Sequence, residues 1–168
     1  MTAAAVVAAG PPDQDRVAAE DLTLDEEEAS IVAAEAAAAA NVLPELLRSR
    51  ALALAEVAPT GGVPAELVEA LEYVATTSLT GGRARRRYTA EGEKLLNRVL
   101  ARTPGGRARA ASVAEVNAAL GSLAGRELHG VRVATRVPGS HTVRLDVDGV
   151  VLTLGLSAAG VTVESVAL

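Results

Sequence analysis

The spacing of apolar and polar positions changes character once along this chain, near Gly125. Before it the spacing is helical. Apolar positions crowd a run from Thr23 to about Val42 that contains Ile31, Val32 and the alanines of 36–40. Alanine is the strongest helix former, so the run predicts a first helix. Thr23-x-x-Glu26 has capping-box spacing, and the acids of 25–28 sit where the helix dipole is positive. Pro44 suits the first turn of a second helix, whose Leu47, Ala51, Leu54 and Ala58 share one face until Thr60-Gly61-Gly62 stops it. Pro64 opens a third, with Leu67, Leu71 and Val74 inward and Glu66, Glu69 and Glu72 as a solvated face, ending at Gly81-Gly82. A fourth, capped by Thr89, turns Leu95, Leu96, Val99 and Leu100 inward. Thr103-Pro104-Gly105-Gly106-Arg107 marks a break. Ser112-x-x-Glu115 repeats the capping-box spacing and starts a fifth helix over 113–124, with Val113, Val116, Leu120 and Leu123 on one stripe.

After Gly125 the period becomes two. Val131, Val133 and Val137 alternate with polar or small residues, as do Val143, Leu145 and Val147, then Val150, Leu152, Leu154 and Leu156. Pro138-Gly139, Asp148-Gly149 and the stretch 157–160 are turns, and Asp-Gly favours a tight type I′ hairpin. A last strand follows over 161–168. The expected fold is therefore α+β: about four helices, then a helix covering a four-stranded antiparallel meander. The first and last strands are its edges, and one of them can pair in a homodimer. The expected organisation is a flexible tail over 1–21, a helical region over 22–104 and the helix-plus-meander piece over 105–168, packed as one unit because the last piece is small.

Composition narrows the chemistry. Among 168 residues there is no cysteine, tryptophan or phenylalanine, one methionine and two tyrosines, Tyr73 and Tyr88. Disulfide scaffolds, thiolate metal sites, cysteine nucleophiles and aromatic stacking platforms are excluded. The core must be leucine, valine and alanine. No phosphate-binding glycine loop, nucleophile elbow or zinc-protease motif occurs, so the sequence calls for no cofactor and reads as non-enzymatic. His129 and His141, with Asp146 and Asp148 nearby, flank strand ends and are read as exposed side chains, not metal ligands. The apolar start is too short to cross a membrane, so no membrane role and a cytoplasmic location are expected.

Charge is divided unequally. Residues 1–79 carry 14 of the 21 acids and three arginines, a net −11; residues 80–168 carry a net +6. The most basic stretch supplies the candidate binding residues Arg83, Arg85, Arg86, Arg87, Tyr88, Lys94, Arg98 and Arg102. Three uses fit such a cluster: offsetting the acidic helices, docking an acidic protein partner or second subunit, or gripping nucleic-acid phosphates.

The run Arg86-Arg87-Tyr88-Thr89-Ala90-Glu91-Gly92-Glu93-Lys94-Leu95-Leu96 resembles the end of the winged-helix domain of MarR- and PadR-like regulators, through Thr89, Gly92, Leu95 and Leu96. That resemblance implies a basic wing strand over the arginines and a nucleic-acid-binding role. It covers about a dozen residues, the preceding helix is acidic, and the tyrosine stands directly before the threonine. The function expected first is accordingly a protein-interaction module (an adaptor, accessory or assembly subunit) with opposed acidic and basic surfaces. The alternative is a winged-helix-like nucleic-acid binder using 83–87.

Overall fold

A computed structural model describes residues 20–157 and 160–167. Most of the expected tail therefore lies outside the described residues. Leu22–Thr23 (β1) pairs antiparallel with Gly62–Val63 (β2). This short ladder holds Thr23 extended, so it does not cap the first helix. Asp25 caps α1 (Glu26–Ala40) instead, accepting from the Glu28 amide at 2.8 Å while the Glu28 carboxylate accepts from the Asp25 amide at 3.2 Å. The capping box lies two residues later than Thr23-x-x-Glu26 predicts. At the other end, the Arg48 guanidinium donates to the carbonyl of Ala40, which α1 cannot satisfy itself, and to that of Leu43 beyond it.

α2 (Glu45–Val57) runs into a 3-10 turn, Ala58–Thr60, and the chain turns at Gly61 with φ 81°. α3 (Ala65–Thr80) and α4 (Arg83–Arg102) complete the helical part. Their shared core joins Val32, Ala36, Leu54, Leu71, Val74, Leu96 and Val99. It contains no aromatic ring, as the composition requires. The α3 stripe is shifted from expectation: Val68, Leu71, Val74 and Ala75 are buried, and Leu67 only flanks the core.

α4 differs most from the sequence reading. The arginines of 83–87 are not a connection between helices, nor the strand that the winged-helix resemblance implies. They form the first turns of α4. Thr89 interrupts the helix with φ 63° and ψ −165°, a conformation strained for a β-branched residue. The second part of the helix begins after it. Gly92 is required there, because an added Cβ would lie 2.1 Å from the Cβ of Tyr88.

α5 (Pro104–Gly121) begins two turns earlier than predicted. Thr103 is extended and its hydroxyl accepts from the Gly106 amide at 3.1 Å, with Pro104 in the first turn. Ser112 is thus inside the helix, and its hydroxyl donates to the Val161 carbonyl, not to a capping box. Glu72, expected on a solvated face, accepts from the Gly105 amide at 2.6 Å and ties α3 to the start of α5.

The meander is as expected: β3 (Leu128–Val137), β4 (Ser140–Val147), β5 (Val150–Ser157) and β6 (Gly160–Ala167) in that spatial order, all antiparallel. Asp148 and Gly149 both have positive φ, as a type I′ turn requires. Val133, Val143, Leu154 and Val163 make one cross-strand row on the inner face, and Val131, Leu145 and Leu152 another. α5 presses Val116 onto Leu152 and Leu154, forming a second core that shares no buried residue with the helical one.

Candidate functional site

Two regions hold the residues of interest: the basic helix α4 and the sheet. Along α4 most of the candidate cations are already paired. Glu28 and Glu35 stand seven residues apart on one face of α1, both only 2% exposed. Arg83 Nε forms an ion pair with Glu35 Oε2 at 2.9 Å, and Ser78 Oγ donates to the same oxygen at 2.7 Å. At the opposite end of α4, Arg102 pairs with Glu28 and donates to the Thr23 carbonyl at 3.0 Å. Arg98 lies 3.6 Å from Asp25 and 3.9 Å from Glu28. Two buried carboxylates thus clamp α4 antiparallel to α1. A buried carboxylate needs such partners, because an uncompensated charge in a low-dielectric interior is costly.

The remaining candidates are more exposed. Arg85 is 3.9 Å from Glu93, and Lys94 is 3.1 Å from Glu91. Arg86 is exposed, and Arg87 stacks its guanidinium 5.4 Å from the centre of the Tyr88 ring. Tyr88 faces both ways. Its hydroxyl is enclosed near Glu35, and burial together with the Glu35 charge raises its pKa above the ordinary 10.0, against the lowering effect of Arg87 and Arg83. Its other surroundings are a groove lined by Glu26, Glu27, Ile31, Glu91 and Leu95. The eight candidates therefore do not form one basic surface. Arg83, Arg98 and Arg102 serve the α1–α4 junction, and only Arg86 and Arg87 are exposed with no carboxylate partner among the described residues.

Glu28 and Glu35 escaped the sequence reading. Their signal is Glu35, a single carboxylate in an alanine-rich stretch, seven residues after Glu28, the last of the acids at 25–28. That spacing places them together on a helix face which is otherwise apolar.

The sheet offers the least covered surface. Exposure of the inner face rises from β5 toward β3. Leu152 and Leu154 on β5 are buried, Val143 and Leu145 on β4 are half-buried, and Val131 and Val133 on β3 are 53% and 67% exposed. α5 packs over the β6 side, so among the described residues β3 is left without cover. It is also an edge strand, and its outer backbone groups pair with no other strand among the described residues. On the outer face Arg132 stands directly opposite Arg144. Arg136 instead reaches Glu164 on β6 at 3.0 Å, past Gly155, where an added Cβ would lie 2.7 Å from the Glu164 carboxylate.

The two histidines separate. His141 Nδ1 bonds Thr135 Oγ1 across β3 and β4 at 3.0 Å. His129 Nε2 lies 3.1 Å from Asp148 Oδ1, with Glu127 beside both. The carboxyl of Asp148 is held below its ordinary pKa, first by the Glu127 amide and then by His129 and Arg126.

No family model matches the chain, and neither curated proteins nor solved structures show a significant similarity to it. Among the described residues, no helix is long and apolar enough to cross a membrane.

Proposed function

We propose that this protein is a non-enzymatic protein-interaction module, an adaptor or assembly subunit of the cytoplasm, that engages its partner through β3. The observation that carries this reading is the ten-residue edge strand whose Val131 and Val133 are exposed on the same face that α5 covers elsewhere. Natural sheets protect their edges by short strands, charged side chains (lysine above all), prolines, bulges or a covering element. β3 has irregular register only near its two ends and no lysine or proline within it; its charged side chains are Arg132 and Arg136, and among the described residues nothing packs over the inner face at Val131 and Val133. A strand added there gains backbone hydrogen bonds and covers both valines at once.

A second copy of the chain is the occupant this geometry suits. With two β3 strands antiparallel about Val133, Arg132 stands opposite Ala134 of the partner subunit and Gly130 opposite Arg136 of the partner subunit. No like charges are then directly opposed across the new pair.

Hydrogen exchange of the full chain tests the reading. Amides of β3 are expected to slow as protein concentration rises, while those of the buried strand β5 stay unchanged. Exchange of β3 that is fast at every concentration would count against it.

The nucleic-acid alternative retains Arg85, Arg86 and Arg87 as an exposed turn of helix. Retention on heparin that survives replacement of all three by alanine would remove it. The pairing of Arg83, Arg98 and Arg102 with carboxylates favours the interaction module over this alternative.

A further inference from the structure

Glu127, His129 and Asp148 meet where the chain enters β3 and where the β4–β5 hairpin turns. Each offers one donor atom, and the three donors lie within 4.8 Å of one another. His129 Nε2 and Asp148 Oδ1 are 3.1 Å apart. Two atoms that each bind one ion at about 2.1 Å, at tetrahedral or octahedral angles, are separated by roughly 3.0–3.5 Å. The His129–Asp148 spacing therefore matches that of neighbouring ligands, and Glu127 closes on the same ion from within 4.8 Å.

The frame around these donors is fixed by the backbone. The Asp148 amide donates to the Glu127 carbonyl at 3.2 Å, and the Glu127 amide donates to Asp148 Oδ2 at 3.0 Å. This reciprocal pair ties the two segments together and orients the Asp148 carboxylate from its rear oxygen. Oδ1 is left directed at the imidazole, as outer hydrogen bonds orient carboxylate ligands in metal sites. Asp148 is further held by its left-handed conformation, φ 47°, in a turn whose type demands it. All three side chains are exposed, so the Glu127 carboxylate is free to close on an ion, and water can fill the remaining positions.

We propose that Glu127, His129 and Asp148 form a binding site for a divalent cation of the zinc class. One imidazole nitrogen and two carboxylates form a borderline N/O donor set. It suits Zn²⁺, Co²⁺ or Ni²⁺ better than Mg²⁺, which takes oxygen ligands and retains its waters.

The probe is Zn²⁺ titrated into the full chain, with calorimetry giving the stoichiometry and proton NMR following both histidine rings. The expected result is one ion per chain and a shift confined to the His129 ring, with Mg²⁺ producing neither. H129A and D148N are each expected to weaken binding by more than about tenfold, and H141A to leave it unchanged. Circular dichroism of each variant confirms that the fold persists. Three results would overturn the proposal: no saturable uptake, uptake that H141A abolishes, or uptake that H129A leaves intact. The last two would reduce Glu127–His129–Asp148 to an ordinary surface ion pair.

Discussion

The guanidinium of Arg83 lies 2.9 Å from the carboxylate of Glu35, and the two ends of the pair differ in their access to water. The Glu35 side chain is 1% exposed, that of Arg83 39%. Removing the arginine strands a charge in the interior, whereas neutralising the glutamate leaves a cation that can turn to solvent. R83A is therefore expected to cost about 3 kcal/mol or more, and E35Q about 1–2 kcal/mol. Urea denaturation of the two variants measures the difference. Equal losses would show that Glu35 does not depend on Arg83 for its compensation.

Tyr88 supplies a pH dependence. Burial first, and the Glu35 charge second, disfavour its phenolate and raise its pKa above 10.0. The folded state then favours the protonated phenol. The associated stability is present below the unfolded pKa and is lost as pH rises through the folded one. In Y73F, Tyr88 is the sole tyrosine, so the phenolate absorbance reports its ionisation alone. The midpoint is expected above 10.0 and is expected to fall toward the ordinary value in Y73F/E35Q. A midpoint that E35Q does not move would remove Glu35 as a cause.

The break in α4 makes opposite predictions at two positions three apart. Thr89 adopts φ 63° and ψ −165°, a region that glycine enters without penalty. T89G is expected to stabilise the fold by about 1 kcal/mol. G92A is expected to destabilise by more than about 1 kcal/mol, because its methyl meets the Tyr88 side chain. Thermal melting of both variants checks the signs. A stabilising G92A would mean that the turn is not packed as described.

These contacts mark where the sequence was legible. The meander could be read from alternation, because Val143, Leu145 and Val147 have a period only a strand satisfies, and Asp148-Gly149 specifies its own turn. The helix ends were less legible, since Thr23 and Ser112 have the right spacing for caps but their groups are engaged elsewhere. Thr23 is held in the β1–β2 ladder, and Ser112 bonds β6. Both are tertiary contacts that no local pattern records. The arginine cluster was visible as charge. Its division into structural and exposed members was not, because that depends on which residues of α1 face α4.

On the sheet, Arg132 and Arg144 are directly opposed with no carboxylate partner among the described residues. R144E replaces a repulsive cross-strand pair with an attractive one, and a gain of about 0.5 kcal/mol is expected at low salt. The gain should shrink as ionic strength rises, because the pair is exposed. Denaturation midpoints at two salt concentrations read this directly. A loss of stability at low salt would contradict the register given for β3 and β4.

The proposed role of β3 is that of an interaction strand, and a second copy of the chain suits it. Sedimentation velocity of the full chain, from micromolar to millimolar concentration, compared with V133E, tests it most directly. A monomer–dimer equilibrium is expected, weakened by V133E by at least about tenfold, equivalent to about 1.4 kcal/mol, with the circular dichroism spectrum unchanged. A chain that stays monomeric throughout that range, or a dimer that V133E leaves as tight as before, would contradict it.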